Sequence, residues 1–245
     1  MKGMILAAGL GTRLRPLTDK RPKALVEVGG LTLLEITIRR LASFGIRDVI
    51  VNVHHFADMV VEFLNQNHNF GSQVEISREE VLLDTGGGLK RAAWFFEDCK
   101  DAFVLHNVDV LSTINLGRMM HFHREHEALV TLAVQERETS RYLLFDKDGQ
   151  LCGRRRGLDR SPEIVRSAAE PQGLAFSGIH VISPKFLKMM SEQGVFSIVD
   201  TYLRLAAANE RIMAFRTDEY YWRDLGKPEN VAQAAQDVAR QILRL

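Results

Sequence analysis

Cysteine is scarce: the 245 residues hold only two, Cys99 and Cys152. Two cysteines build no disulfide framework, and neither sits at a metal-ligand spacing, so a reduced, cytoplasmic setting is expected. An excess of one charge is missing too. Lys and Arg number 32 against 31 Asp and Glu, a net charge of +1, which argues against nucleic acid or a membrane surface as the partner. No apolar run approaches bilayer-spanning length, and the run after Met1-Lys2-Gly3 is too short for a signal peptide. Internal repeats and low-complexity linkers are absent. A chain of this length buries one sizeable core, and a single domain over 1–245 is expected.

What the chain does have is a local concentration of cations. A short apolar strand, Met4 to Ala8, runs into Gly9 and Gly11, and then come Arg13, Arg15, Lys20, Arg21 and Lys23. Glycine permits positive φ and close approach, so the N–H groups of Gly9, Gly11 and Thr12 can converge on one anion. Arginine adds a planar fork for phosphate oxygens and lysine a compact charge. Pro16 and Pro22 stiffen the loop and lower the entropy lost on ordering it. Leu6 to Lys23 therefore reads as a phosphate-holding loop. A dinucleotide fingerprint would need a small residue where Leu14 stands, and a Walker loop would need Gly-Lys-Ser/Thr after its last glycine.

Downstream, Thr32-Leu33-Leu34-Glu35 reads as a capping box that opens a helix ending at Gly45. The β-branched run Ile46 to Val53, a helix over Phe56 to Asn67 and a strand over Val74 to Ser77 follow. Asp84-Thr85-Gly86-Gly87-Gly88 leads into a helical stretch from Leu89 to Phe96, and the glycines serve either close backbone approach at a helix N-terminus or a hinge. Asp101 to Asn107 is an apolar strand, so Asp109 just beyond it faces the crevice where ligands of open α/β sheets bind. Asn115 to His126 reads as a helix whose His121, His123 and His126 do not share one face and are surface or satisfied side chains. The alternation to about residue 127 predicts an α/β, Rossmann-like fold with a mixed, mostly parallel sheet and helices on both faces.

From Leu129 onward the pattern is meander-like, which suits an antiparallel extension. Tyr142 to Asp146 and Gly149 to Leu151 form a hairpin that turns at Asp148-Gly149. Arg154 to Gly173 is open to several readings: a phosphate contact, a solvated basic turn or a loop over a pocket. Leu174 to Ile182 is a strand, Ile198 to Ala208 a helix and Ile212 to Arg216 a strand. Pro228 opens a last amphipathic helix with Val231, Ala235, Val238 and Ile242 on its apolar face.

The stretch Leu6 to Lys23 resembles the signature of the sugar-1-phosphate nucleotidyltransferases. Three further blocks follow in that family's order: the triple glycine, His106-Asn107-Val108-Asp109, and Trp222-Arg223-Asp224-Leu225-Gly226-Lys227-Pro228. The resemblance implies that residues 1–127 bind a nucleoside triphosphate and residues 128–245 a sugar 1-phosphate. It assigns Ala7, Ala8, Gly9, Gly11, Thr12, Arg13, Lys23, Asp84, Gly86, Gly87 and Asn107 to the nucleotide, and Ser177 and Gly178 to the sugar. Arg13, Lys23 and Asp109 become catalytic, with Asp109 and Asp224 as ligands of Mg2+. Two departures stand out. Val108 replaces the usual glycine, and the family's Glu-Lys-Pro element is missing. The short length is similar to that of the branch that uses UTP, with GTP- and CTP-dependent branches as alternatives. A nucleotide-sugar sensor without turnover is the reading from another class; the resemblance leaves the oligomeric state open.

Overall fold

The computed structural model describes residues 1–157 and 161–243. The chain runs through β1 (Lys2–Leu6), β2 (Glu27–Val28), β3 (Leu31–Thr32), α1 (Leu33–Ser43), β4 (Asp48–Val53), α2 (Ala57–Gln66), β5 (Gln73–Arg78) and α3 (Asp84–Arg91). It continues with β6 (Phe103–Asn107), β7 (Val110–Ser112), α4 (Leu116–Glu125), β8 (Val130–Gln135), β9 (Arg141–Phe145), β10 (Leu151–Arg156) and β11 (Glu163–Ile164). Last come β12 (Gln172–Ile182), α5 (Lys185–Met189), α6 (Ile198–Ala207), β13 (Ile212–Arg216), β14 (Trp222–Asp224) and α7 (Pro228–Ala239).

In the first half β6, β1, β4 and β5 pair in parallel, in that order. The connections α1 and α2 carry the chain outward from β1, and α3 brings it back to the other side of β1. The strand order thus reverses between β1 and β6, where Leu6 is in register with Asn107. Such a switch point opens a crevice beyond the carboxyl ends of the two strands, because the connecting segments leave in opposite directions.

The second half adds the antiparallel extension. One edge of β12 pairs with β8 over most of its length. The other edge pairs with β9 over Gln172–Ala175 and with β6 over Ile179–Ile182. Between those two partners, Phe176 to Gly178 have no strand on that edge. Gly178 takes φ 75°, and a Cβ there would fall 2.7 Å from Val110 Cγ2. Only glycine holds the kink that parts the sheet here.

Side chains alternate across the sheet as strand geometry requires. Ile5, Val49 and Val51 join Val60 of α2, Met119 of α4 and Val231 of α7 on one face. Met4 and Ile50 join Leu89 of α3 and Ile198 and Tyr202 of α6 on the other. Each fully buried side chain of this size contributes about 1.5–3 kcal/mol.

Thr32 caps α1 by accepting from Glu35 N at 3.1 Å, but the Glu35 carboxylate turns to Arg39 at 2.8 Å instead of closing the box. The expected strand Met4 to Ala8 is shifted: β1 ends at Leu6, which leaves Ala7 and Ala8 beyond the strand end. The glycines at 86–88 lie inside α3, and 93–96 form a separate 3-10 turn, so the expected helix Leu89 to Phe96 is corrected on both counts. Ile242 is 60% exposed and Leu243 is buried in its place, because the chain leaves the helical path after Ala239. Within Arg154 to Gly173, residues 158–160 lie outside the described residues. Among the described residues no helix is long and apolar enough to cross a membrane.

Candidate active site

The glycine loop is fastened at both ends. Ala7 N donates to Asn52 Oδ1 on β4 at 2.7 Å, and Thr18 Oγ1 donates to Gly11 O at 2.8 Å. Gly11 has φ 67°, and a Cβ there would lie 2.9 Å from Thr18 Cγ2, so loop closure depends on a glycine. Leu14 is fully buried and anchors the turn. Pro22 then leads Lys23 into a 3-10 turn, from which its ammonium forms an ion pair with Asp109.

Asp109 sits between β6 and β7, and Asp224 ends β14. The two are distant in sequence, yet β14 pairs with β7 so that Asp224 is in register with Val110. Leu225 N donates to Asp109 O at 2.8 Å, which locks the ladder one residue further. Asp224 Oδ1 accepts from Gly226 N at 2.6 Å. A Cβ on Gly226 would fall 2.7 Å from that oxygen and 2.9 Å from Arg13 Nη2, so Arg13 and Asp224 both lie against the bare backbone of Gly226.

Two cavities meet here. One, of about 350 Å3, is lined by Ala8, Gly9, Lys23 and Asn52, among others. The other, of about 650 Å3, is lined by Ser177, Gly178, Trp222 and Asp224, among others. Asp84, Thr85, Asn107 and Asp109 border both. The smaller cavity is built from residues of the first half apart from Val195. A phosphate chain lying between the cavities would pass Asp109.

Several sequence-identified residues stand outside both cavities. Ala7 is buried under the loop, and Gly11, Thr12 and Arg13 form the loop's outer turn. The amides of Gly86 and Gly87 are occupied: both donate to Phe196 O, at 3.0 and 3.3 Å. A Cβ on Gly86 would come within 2.4 Å of the Phe196 ring, so these glycines let α3 pack against the segment before α6. Ser177 lines the larger cavity with a buried hydroxyl that has no partner, while its carbonyl accepts from Trp222 Nε1 at 2.8 Å. Val108 is 3% exposed and its amide donates to Leu6 O at 3.1 Å.

Two features carry no sequence signal. Asn52, which holds Ala7, also donates from Nδ2 to Glu79 Oε1 at 2.7 Å, and Glu79 Oε2 accepts from Leu83 N at 3.0 Å. This buried carboxamide and carboxylate brace the floor of the smaller cavity. Arg137 lies 3.7 Å from the centre of the Trp222 ring and lines the larger cavity. Burial holds its guanidinium below the ordinary arginine value, against the opposing pull of Asp224 and Tyr142. The polar residues of the loop before β9 have no period, so nothing distinguishes Arg137 from a solvated arginine. Beneath Asn107, burial and then the charge of Arg40 push the His106 imidazole down to about 4, and its Nδ1 faces Asn107 O at 2.8 Å.

The family model described as nucleotidyl transferase matches residues 2–241. The chain belongs to this family. An N-acetylmuramate alpha-1-phosphate uridylyltransferase from Caulobacter vibrioides is 33% identical to this family member over 237 residues, 92% of each chain. A mannose-1-phosphate guanyltransferase from Yarrowia lipolytica is 30% identical over 235 residues, 94% of this chain, which spans only 62% of that relative's length. Among solved structures, a putative glucose-1-phosphate thymidylyltransferase from Bacillus anthracis, in complex with a sucrose, shares the fold. Its TM-score is 0.80 at 19% identity, with 100% of this chain and 97% of that chain covered.

Asp109, in the turn before β7, and Asp224, at the end of β14, supply hard carboxylate oxygens to one cavity. That donor set fits Mg2+, which is held by one or two carboxylates and completes its shell with water and phosphate oxygens. Among the described residues no third acidic, histidine or cysteine side chain joins them.

Proposed function

We propose that the protein transfers a nucleotidyl group from a nucleoside triphosphate to a sugar 1-phosphate. An oxygen of the sugar phosphate attacks the α-phosphorus, the bond from that phosphorus to the β-bridging oxygen breaks, and pyrophosphate leaves with the electron pair. The observation that carries this reading is the convergence of Lys23, Asp109 and Asp224 where the two cavities join.

The chemistry needs in-line placement and charge neutralisation more than covalent help. Ala8 and Gly9 line the triphosphate side, and Arg13, on the exposed turn outside both cavities, is assigned to the leaving pyrophosphate by the family signature. Lys23 lies where two anionic phosphates must approach, and its ammonium lowers their repulsion. Asp109 and Asp224 would hold Mg2+. When bound, the ion withdraws charge from the α-phosphate as it is attacked. Asn107, Asp84, Gly86 and Gly87 belong to the nucleotide side, the first two at the cavity border and the glycines through packing of α3. Ser177 and Gly178 shape the sugar side.

The favoured substrates are UTP and N-acetylmuramate 1-phosphate, since the uridylyltransferase relative matches this chain over 92% of both lengths. GTP with mannose 1-phosphate is the second reading, supported by the guanylyltransferase relatives. Pyrophosphate release from each of four nucleoside triphosphates, crossed with sugar 1-phosphates and phosphocholine, tests both. Release with UTP and N-acetylmuramate 1-phosphate is expected. Nucleotide binding with silence across the panel would replace the transferase by a sensor.

A further inference from the structure

The acceptor side of the larger cavity carries more positive charge than one phosphate calls for. Its wall comes from the loop before β9 and from the β9–β10 pair, where Arg154, Arg155 and Arg156 follow one another. Arg154 is neutralised: Nε meets Glu163 at 2.6 Å and Nη1 meets Asp200 at 2.5 Å. Arg155 lies opposite Tyr142 in the ladder, and its guanidinium sits over the Tyr142 ring at 5.0 Å. Arg137 lies against Trp222 and donates to Phe176 O at 2.7 Å. Among the described residues neither Arg137 nor Arg155 has a carboxylate within ion-pair distance, and the Nε of each is buried without a partner.

A half-buried guanidinium without an anion is costly, and an aromatic face offsets only part of that cost. Two of them in one cavity, one from the loop before β9 and one from β10, are best satisfied by a ligand with two anionic groups. Arg137 lies over Trp222, in the same strand β14 as Asp224, and lines the larger cavity with that aspartate, which puts it toward the phosphoryl centre. Arg155 stands on β10, with β9 and β12 between it and β6, the strand that leads to Asp109.

We propose that Arg155 binds a second anionic group of the acceptor, a carboxylate or phosphate on the sugar ring, while Arg137 faces the 1-phosphate beside Asp224. The inference rests on the transferase reading above and narrows its acceptor to acidic sugar phosphates. A guanidinium fork suits either group. N-acetylmuramate 1-phosphate carries such a group in its lactyl ether, and mannose 1-phosphate does not.

The test uses the whole chain with Mg2+ and the nucleotide that the panel selects. It compares N-acetylmuramate 1-phosphate with N-acetylglucosamine 1-phosphate, which lacks only the lactyl ether, and glucose 1,6-bisphosphate with glucose 1-phosphate. The charged member of one pair is expected to have a kcat/KM about tenfold or more above its neutral counterpart, since a charge-assisted contact of this kind carries about that discrimination. The pair that responds tells carboxylate from phosphate. R155Q should bring that ratio toward one, mainly through KM, and R155K should retain part of it. Equal kcat/KM within both pairs, or an unchanged ratio in an R155Q variant that melts like wild type, would overturn the proposal. Absence of turnover with every acceptor and nucleotide would remove the transferase reading instead, and this inference with it.

Discussion

Lys23 and Asp109, separated by 86 residues in sequence, form an ion pair. Their side chains are 12% and 16% exposed, so each charge relies on the other for much of its compensation. On the proposed reading, the lysine assigned to phosphate and the carboxylate assigned to the cation hold each other in place.

Replacing Lys23 by Ala should lower kcat by about a hundred- to a thousandfold, as the loss of one donor aimed at developing charge does. The same change removes the cation that competes for Asp109. Mg2+ titration of the K23A protein without substrate should therefore give tighter binding than wild type. Weaker metal binding together with near-normal turnover would remove Lys23 from the site.

Asp109→Asn and Asp224→Asn should each reduce pyrophosphate release by about a hundredfold or more, since each removes a hard anionic oxygen from a metal-dependent step. Chelation of the divalent ion should abolish turnover in wild type, and added Mg2+ should restore it. If D224N kept full activity at low Mg2+, the paired-carboxylate reading would fail.

Gly178→Ala should destabilise the fold and raise KM for the sugar phosphate. Left-handed strain and overpacking each cost about 1–3 kcal/mol, and the added Cβ would meet Val110 Cγ2 at 2.7 Å and Asn107 Nδ2 at 2.9 Å. Thermal denaturation and acceptor saturation curves report the two effects separately.

Acid should destabilise the protein well before its carboxylates titrate. Burial, then the charge of Arg124, holds His123 down at about 4, and burial, then His106, holds His180 down at about 3, against 6.5 when unfolded. Between those values the unfolded chain binds more protons, so the stability that these neutral imidazoles carry above pH 6.5 is lost as pH falls toward 4. His123→Asn, at a position where the ring meets Thr131 and Ser183 hydroxyls at 2.9 and 3.0 Å, should flatten the slope of melting temperature against pH. An unchanged slope would contradict the assignment.

The local chemistry of the site was written in short stretches. Gly11, Pro22 and Lys23 could be read as a tight cationic loop because positive φ, a fixed φ and a cation act through neighbouring residues. The cap at Thr32 and the turn at Gly149 were legible for the same reason. The triple glycine misled about where the helix begins, since glycine marks equally an open loop and a helix pressed against Phe196. Arg137 and Glu79 left no trace, as a lone charged residue in a polar stretch looks the same whether it is solvated or buried.

The order of the longer strands and helices, the cationic turn and the identity of the acidic side chains follow from the sequence alone, because period, propensity and charge are properties of adjacent residues, whereas short strands such as β7 and β14 carry too few residues to show a period. Which aspartate stands beside which followed only from the tertiary structure, which pairs β14 with β7 and so sets Asp224 next to Asp109. It also decided that Arg154 is neutralised while Arg137 and Arg155 face a cavity. Burial and pairing depend on what the rest of the chain brings within a few ångströms, and no local pattern encodes that.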